Sequence, residues 1–261
     1  AFLFELHAVA FDPLGIDADR DGGGVAAARE IDHEDPQADA DLRRGEADAM
    51  ICGLEGRYRS KLRHIKDIVG LAPGVRELAA MSLMITSRGI VFLADTHVQP
   101  DPSAAAIADI VALCAEHVQR FGMQAKVALV SHSDFGDFDT PSSTKMRAAL
   151  ALVRERCPDL EVDGEMQAGV ALSKEMMKEN YPFSELVDQD VNTLIFPNLA
   201  AGNIAYNLMK ELDTADAVGP ILLGLNKPVH ILQLGSSVRS ILNMALVAVV
   251  DAQIKSMAPT D

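Results

Sequence analysis

Basic residues are scarce in this 261-residue chain. Its 23 lysines and arginines face 38 aspartates and glutamates, which gives a formal net charge of −15 at pH 7. Such a surface would repel the phosphate backbone of a nucleic acid, and the sequence contains no basic stripe that would offset this. We therefore expect no nucleic-acid partner, although a local cluster of basic side chains can still bind a small anion.

Cysteines are also few, and long apolar runs are missing. An odd number of widely spaced cysteines favours a reduced, cytoplasmic compartment over a disulfide framework, and each is expected to be a small core residue. The three are Cys52, Cys114 and Cys157. No apolar run approaches the roughly 18 residues that span a bilayer. The apolar start, AFLFELHAVAF, has no basic region or cleavage site, so we expect neither a signal peptide nor a membrane anchor.

Several common site motifs are absent from the sequence. It contains no Walker loop, G-x-G-x-x-G, G-x-S-x-G or H-E-x-x-H pattern, which removes the commonest nucleotide, hydrolase and zinc sites. Asp17, Asp19 and Asp21 imitate the first half of a calcium loop. The twelfth position of that loop, which needs a bidentate glutamate, is Ala28 here, and Glu30 comes two places late. The prediction is a solvated acidic turn and no metal site.

From Gly45 onward, apolar runs alternate with helical periodicity. Short apolar runs predict strands, and apolar residues recurring at three and four predict helices. Strands are predicted at 47–52, 79–85, 90–94, 127–130, 160–162, 193–196, 221–223 and 229–232. Helices are predicted at 57–69, 102–121, 145–156, 170–177, 202–212 and 237–257. This alternation indicates an α/β protein that binds ligands at the carboxyl ends of its strands.

Two segments are candidates for anion binding. The helix at 57–69 has Leu62, Ile65, Ile68 and Val69 on one face, and we assign its basic residues to the other: Arg57, Arg59, Lys61, Arg63 and Lys66. Either this basic face is simply solvated or it binds an anion near the helix start. The second segment, Ser131 to Lys145, supplies hydroxyls from Ser131, Ser133, Ser142, Ser143 and Thr144, and charge from Lys145 and Arg147. These hydroxyls could equally be turn and capping residues.

Several separated motifs carry a family resemblance. FPNLAAGNIAYNL at 196–208 and GPILLGLNKPVHIL at 219–232 resemble the C-terminal part of the phosphate acetyltransferase and butyryltransferase family. The ending HIL...SSVRSILNMALVAVVDAQ is most similar to the phosphotransacetylase-like domain of bacterial hybrid NADP-dependent malic enzymes. The resemblance runs from about Arg43 to Gln253. It implies a two-lobed phosphotransacetylase-like fold, related to isocitrate and isopropylmalate dehydrogenases, with a cleft between the lobes.

The resemblance also assigns lobes and site residues. Lobe I would comprise 1–74 and 219–261, with an incomplete N-terminal part, and lobe II would comprise 75–218. The positions that match family motifs around an acyl-CoA cleft are Arg63, Ser131, Ser133, Lys145, Asp163, Glu165, Asn198, Asn203 and Lys227. Without the resemblance, Asp163, Glu165, Asn198 and Asn203 would be turn and capping residues. The implied ligand is acetyl-CoA or CoA, and the implied assembly is at least a dimer.

The catalytic positions of the family hold other residues here. Active members place a Ser-Arg pair and a later Asp where this chain has Gln233, Leu234 and Ser240. A leucine supplies neither a donor nor a charge, and serine is a poor general base at neutral pH. No catalytic residue is therefore expected. The leading hypothesis is a regulatory acetyl-CoA-sensing domain that follows a malic enzyme catalytic domain. The alternatives are an active phosphate acetyltransferase and a purely structural module whose apolar terminal helix holds an oligomer together.

Overall fold

The structure is a computed structural model that describes residues 30–31, 41–53, 57–212 and 216–257. The described residues form two compact units. One, which we call the three-stranded unit, takes the residues up to Val69, from Arg120 to Gly122 and from Lys227 onward. The other, the six-stranded unit, takes Gly70–Gln119 and Met123–Asn226. The lobe boundaries at 74 and 218, and the cleft, stay predictions.

A mixed sheet forms the centre of the six-stranded unit. Its strands are β3 (Ala79–Thr86), β4 (Gly89–Ala94), β5 (Lys126–Val130), β6 (Glu161–Met166), β7 (Thr193–Ile195) and β8 (Asp216–Leu223). They lie in the order β6-β5-β7-β4-β3-β8. The four strands β6, β5, β7 and β4 run parallel, whereas β3 is antiparallel to both β4 and β8. The carboxyl ends of four strands therefore meet at one edge of the sheet.

Helices connect these strands. They are α2 (Ala104–Arg120), α3 (Pro141–Arg156), α4 (Ala168–Ala171), α5 (Lys174–Asn180) and α6 (Leu199–Leu212). In α2 the buried Ile107, Ile110, Val111, Cys114 and Val118 recur at three and four, which explains why this segment is a helix with one core-facing side. One core cluster, which includes Met84, Leu93, Met166, Phe196 and Tyr206, lies among β3, β4, β6 and α6.

The three-stranded unit has a smaller, wholly parallel sheet. Its strands are β1 (Glu30–Ile31), β2 (Met50–Cys52) and β9 (Val229–Ile231), with β2 in the middle. Helix α1 (Tyr58–Val69) follows β2, and α7 (Val238–Met257) follows β9. Gly53 must be glycine because a Cβ there would lie 2.5 Å from the carbonyl oxygen of Leu232.

Helix α7 is long and apolar enough, by length and composition alone, to cross a membrane. However, its Asp251 is 4% exposed and pairs with Arg120 at 3.1 Å within the same unit. His230 of β9 lies 3.6 Å from the other carboxylate oxygen. A single helix of this kind is weak evidence for a membrane span, and this one carries a buried carboxylate that is paired within its own unit.

Most predicted elements are present, and three predictions need correction. Asp163, Gly164 and Glu165 were expected just past a strand, but β6 extends through them, and Asp163 and Glu165 are buried. The helix expected at 170–177 is two short helices, α4 and α5. Helix α3 begins at Pro141, because the side chain of Thr140 accepts the N–H of Ser143 and the two residues form a capping box.

Two further expectations also change. Lys61 is not on an exposed basic face: it is 7% exposed and lies on the buried side of α1 with Ile65 and Val69. Of the three free cysteines only Cys114 is fully buried, where burial raises its pKa well above the ordinary value.

Among the described residues, no group of three or more His, Cys, Asp or Glu side chains could hold a metal ion. The acidic turn at Asp17 to Ala28 lies outside those residues.

Candidate functional site

The candidate site is the edge of the six-stranded unit where β4, β5, β6 and β7 end. Parallel strands place the residues that follow them side by side, and the order changes direction here because β7 inserts between β5 and β4. The predicted residues in this unit are Ser131, Ser133, Lys145, Asp163, Glu165, Asn198 and Asn203. Arg63, Lys227, Gln233, Leu234 and Ser240 belong to the three-stranded unit.

The loop after β5 is braced by Glu165. One carboxylate oxygen of Glu165, Oε1, lies 2.8 Å from Ser133 Oγ and accepts hydrogen bonds from Gly136 N at 3.0 Å and Arg147 Nη1 at 2.8 Å. Glu165 and Ser133 have no exposed surface. The other carboxylate oxygen of Glu165, Oε2, is buried and has no hydrogen-bond partner among the described residues. The observed role of Glu165 and Ser133 is to hold the backbone from Ser131 to Asp139, which leaves Ser131 as the partly exposed hydroxyl.

Two aspartates extend this bracing. Asp137 accepts hydrogen bonds from Asp134 N and Ser133 Oγ, both at 2.8 Å, and these bonds lower the pKa of its carboxyl. Asp163 is 5% exposed, and its two oxygens bind Arg154 Nη2 at 3.0 Å and Ser184 Oγ at 2.7 Å. Asp163 therefore links β6 to α3 and to Ser184.

Lys145 lies in the first half of α3, where its ammonium contacts Asp101 Oδ1 at 2.5 Å. The Asp101 side chain is 79% exposed, so the pair lies at the surface, where such contacts add about 1 kcal/mol or less. An anionic ligand could therefore replace Asp101 as the partner of Lys145 with little loss of stability. Ser143, by contrast, has no exposed surface because its hydroxyl caps the start of α3, so it is not available to a ligand.

Asn198 and Asn203 build the junction between β7 and α6. Asn198 Oδ1 accepts the N–H of Ala201 at 2.9 Å and so caps α6, whereas Asn203 Nδ2 donates to the carbonyl of Thr96 at 3.1 Å. Gly202 lies against the end of β4, where a Cβ would be 2.2 Å from the carbonyl oxygen of Asp95. Both asparagines are partly exposed at this edge.

Residues after β4 complete the edge, and the sequence analysis did not assign them to a site. Asp95 is 2% exposed and accepts the backbone N–H groups of His97, Val98 and Gln99 at 2.8 to 3.0 Å. Burial raises its pKa, and these hydrogen bonds oppose the rise. The polar run Asp95-Thr96-His97 directly after an apolar strand was the signal that could have identified this segment.

His97 is held between Thr96 and α6. Its Nδ1 lies 2.9 Å from Thr96 Oγ1, and its ring meets that of Tyr206 edge to face, with centroids 5.4 Å apart. Burial, assisted by the positive charge of Lys210, lowers the pKa of His97 to about 4. The imidazole is therefore neutral at pH 7 and a weak base, so this edge is better suited to hydrogen bonding than to proton abstraction.

In the three-stranded unit, Arg63 is exposed on α1, and within the described residues no acidic side chain pairs with it. Lys227 is partly exposed and precedes β9. After β9, Leu234 is 85% exposed and offers no polar group. Ser240 lies in the first turn of α7, where its hydroxyl is 3.0 Å from Ser237 Oγ.

Comparison with known proteins assigns the family. The model of the phosphate acetyl/butaryl transferase family matches residues 19–249. The chain belongs to that family. It is 36% identical to the phosphate acetyltransferase of Paracoccus denitrificans over 84% of this chain and 72% of that protein. A phosphotransacetylase structure from Streptococcus pyogenes superposes with a TM-score of 0.78 at 32% identity, covering 83% of this chain and 66% of the other.

Malic enzymes are relatives of higher identity. The NADP-dependent malic enzyme of Haemophilus influenzae is 46% identical over 81% of this chain. The match covers only 28% of that enzyme, so the chain corresponds to roughly a quarter of such a protein. The resemblance to the phosphotransacetylase-like part of malic enzymes is confirmed, as is the α/β fold similar to phosphotransacetylases.

Proposed function

We propose that the chain is an acyl-CoA-binding regulatory domain of a malic enzyme, which binds acetyl-CoA without transferring its acetyl group. Membership of the phosphate acyltransferase family supports a CoA-type ligand, and the malic enzyme relatives support a place within a longer enzyme. The proposal includes an upstream malic enzyme catalytic domain, a cytoplasmic location and an assembly of at least two copies.

The observation that carries the proposal is the set of side chains after β9. Transfer to phosphate needs a base for the CoA thiol and donors for the charge that develops on the acyl group and phosphate. At the family's catalytic positions this chain presents an exposed Leu234, together with Gln233 and Ser240. Loss of a single oxyanion donor typically lowers the rate by about 10² to 10³, so losing both the cation and the base leaves little activity.

Binding does not depend on those positions. CoA presents several phosphates and amide groups away from its thiol, and each unit by itself has predicted ligand residues that are partly or fully exposed. They are Ser131, Lys145, Asn198 and Asn203 in the six-stranded unit, and Arg63 and Lys227 in the three-stranded unit. A chain of net charge −15 repels a polyanion overall, so binding requires local cations such as these. Ser133, Asp163 and Glu165 contribute by positioning the loop and β6.

Calorimetric titration with acetyl-CoA tests the binding part of the proposal. We expect the wild type to bind and the Arg63→Ala variant to bind about ten- to a hundredfold more weakly with nearly unchanged thermal stability, because a charge-assisted contact adds roughly 1.5 to 3 kcal/mol. Arg59→Ala, an exposed arginine of the same helix, is the matched control and should keep wild-type affinity. No heat with the wild type would disprove acetyl-CoA binding and leave the structural-module hypothesis.

A transferase assay tests the other part. With acetyl-CoA and inorganic phosphate, we expect no acetyl phosphate above the rate without protein. Turnover within the ordinary enzyme range of about 1 to 10³ per second would establish the active phosphate acetyltransferase instead. The two experiments are independent, because a protein can bind acetyl-CoA tightly whether or not it turns it over.

A further inference from the structure

A chain of hydrogen bonds runs from β3 to His97, just after β4. Ser82 Oγ on β3 lies 3.0 Å from Thr96 Oγ1, and Thr96 Oγ1 lies 2.9 Å from His97 Nδ1. Ser82 and Thr96 have no exposed surface, whereas His97 is partly exposed. The chain therefore runs from the interior of the six-stranded unit to the edge where sheets of this kind bind ligands.

The protons in this chain have one favourable order. Among the described residues, the hydroxyl of Ser82 has a single hydrogen-bond partner, Thr96 Oγ1, and a buried hydroxyl without an acceptor is unfavourable. Ser82 therefore donates to Thr96. Each hydroxyl carries one proton, so Thr96 donates its own proton onward to His97 Nδ1. The reverse order, from Nδ1–H to Thr96 and from Thr96 to Ser82, would leave the proton of Ser82 without an acceptor.

This order determines which ring nitrogen of His97 carries a proton. Burial lowers the pKa of His97 to about 4, so the imidazole is neutral at pH 7. A neutral imidazole has one N–H group, and Nδ1 accepts the hydroxyl of Thr96, so the proton is on Nε2. His97 therefore has a hydrogen-bond donor at Nε2 and no lone pair there.

A neutral N–H donor suits the uncharged end of an acyl-CoA. The ring of His97 contacts the hydroxyl of Thr96 and meets the ring of Tyr206 edge to face. The carboxyl that precedes them, Asp95, is buried and already accepts three backbone N–H groups. Phosphates favour charged donors, whereas a carbonyl oxygen is a neutral acceptor that matches a neutral N–H.

An N–H at Nε2 distinguishes acetyl-CoA from CoA. The two ligands differ at the sulfur, because CoA ends in a thiol, which is a weak donor and a weak acceptor, whereas acetyl-CoA has a thioester carbonyl, which accepts. A donor at Nε2 therefore favours the carbonyl, and a lone pair at Nε2 would favour the thiol. The tautomer of His97 determines which of the two ligands is bound more tightly.

We propose that Ser82 and Thr96 hold His97 as the Nε2–H tautomer, and that this N–H donates to the thioester carbonyl of acetyl-CoA. This inference rests on the proposed function and adds to it the residue that makes the domain respond to acetyl-CoA in preference to CoA. Ser82 and Thr96 are positioning residues, and His97 contacts the ligand.

Nitrogen-15 NMR of the His97 ring tests the tautomer without any ligand. At pH 7 we expect a proton on Nε2 and none on Nδ1, and a spectrum of His97→Gln identifies the His97 signals among those of the 7 histidines. Thr96→Val removes the donor to Nδ1, so both tautomers become populated and the two nitrogen shifts should move toward each other. A merely structural role of Thr96 would leave these shifts unchanged.

Calorimetric titration with acetyl-CoA and with CoA tests the ligand contact. His97→Gln can place its amide N–H near the position of Nε2, whereas His97→Asn, the matched control, reaches only the position of Nδ1. We expect the wild type and His97→Gln to bind acetyl-CoA about three- to tenfold more tightly than CoA, as one neutral hydrogen bond provides. His97→Asn should bind the two ligands with equal affinity.

Three results would overturn parts of this proposal, and they are distinguishable. A proton on Nδ1 in the NMR spectrum of the wild type would overturn the tautomer. Equal affinities of the wild type for acetyl-CoA and CoA, or a preference for acetyl-CoA that His97→Asn retains, would show that His97 does not contact the thioester. If the wild type bound neither ligand, the proposed function would fail and the thioester contact with it, while the NMR measurement would still decide the tautomer.

Discussion

At the residue scale, burial lowers the pKa of His97 well below its ordinary value. Its unfolded form takes up a proton near the ordinary value of 6.5, whereas its folded form does so only near pH 4. Between these pH values the unfolded state binds more protons than the folded state. The free energy of unfolding therefore rises with pH through this window, and the contribution of His97 is fully present above it. On acidification we expect a loss of up to roughly 3 kcal/mol from this residue.

Denaturant unfolding of the wild type and His97→Gln at pH 7 and pH 4.5 measures that loss. The variant should lose less stability than the wild type between the two pH values, because its side chain does not titrate. Equal losses in the wild type and His97→Gln would show that His97 does not contribute to the pH dependence.

The local pattern located candidate residues but did not reveal their partners. Ser131, Ser133 and Lys145 were placed at strand ends or helix starts from the local pattern alone. The pattern could not show that Ser133 and Glu165 are partners, because they are 32 residues apart and meet only across β5 and β6. For the same reason, Arg147 looked like a ligand for phosphate, although it binds Glu165 and Asp139.

At the scale of elements, the position of α6 depends on a single glycine. Gly202 lets the helix approach the end of β4, and a Cβ there would lie 2.2 Å from the carbonyl oxygen of Asp95. The clash is with backbone, so α6 or β4 must move. We expect Gly202→Ala to destabilise the chain by about 3 kcal/mol, as severe overpacking does.

Gly169→Ala is the control for this prediction. Gly169 lies in α4, and a Cβ there would meet nothing within 4 Å. Alanine also favours a helix over glycine by about 0.5 to 1 kcal/mol, so this variant should be as stable as the wild type or slightly more stable. The measurement is the denaturant midpoint of unfolding of the wild type, Gly202→Ala and Gly169→Ala. A Gly202→Ala midpoint equal to that of the wild type would mean that α6 has room to adjust.

Element boundaries were predicted where local periodicity is strong. The hairpin of β3 and β4 and the helix α2 follow directly from their apolar patterns, and their bounds agree with the prediction within about two residues. The strand β6 was cut short at Val162 because Asp163, Gly164 and Glu165 look like a turn. In the interior, Asp163 binds Arg154 and Ser184, and Oε1 of Glu165 contacts Ser133 and Arg147, partners that no local pattern reveals.

At the scale of the whole molecule, α6 and α7 each leave three large apolar residues exposed. On α6 these are Ile204, Leu208 and Leu212, which are 59%, 55% and 83% exposed and spaced at i, i+4 and i+8. On α7 they are Val238, Leu246 and Met257, and Leu246 in the middle is only 38% exposed. The sequence pointed to α7 because most of its circumference is apolar. The structure buries Met244, Val247 and Ala248 of α7, so the stripe on α6 is the more continuous surface.

We expect the chain to associate with a second copy through the stripe on α6, because three large apolar side chains in line on one helix face are normally covered. Leu208→Glu places a charge in the middle of the stripe and should yield a monomer in sedimentation at micromolar concentration. Leu246→Glu makes the same change on α7 and should leave the association intact. A monomeric wild type would contradict self-association altogether. If only Leu246→Glu produced a monomer, the interface would lie on α7 and not on α6.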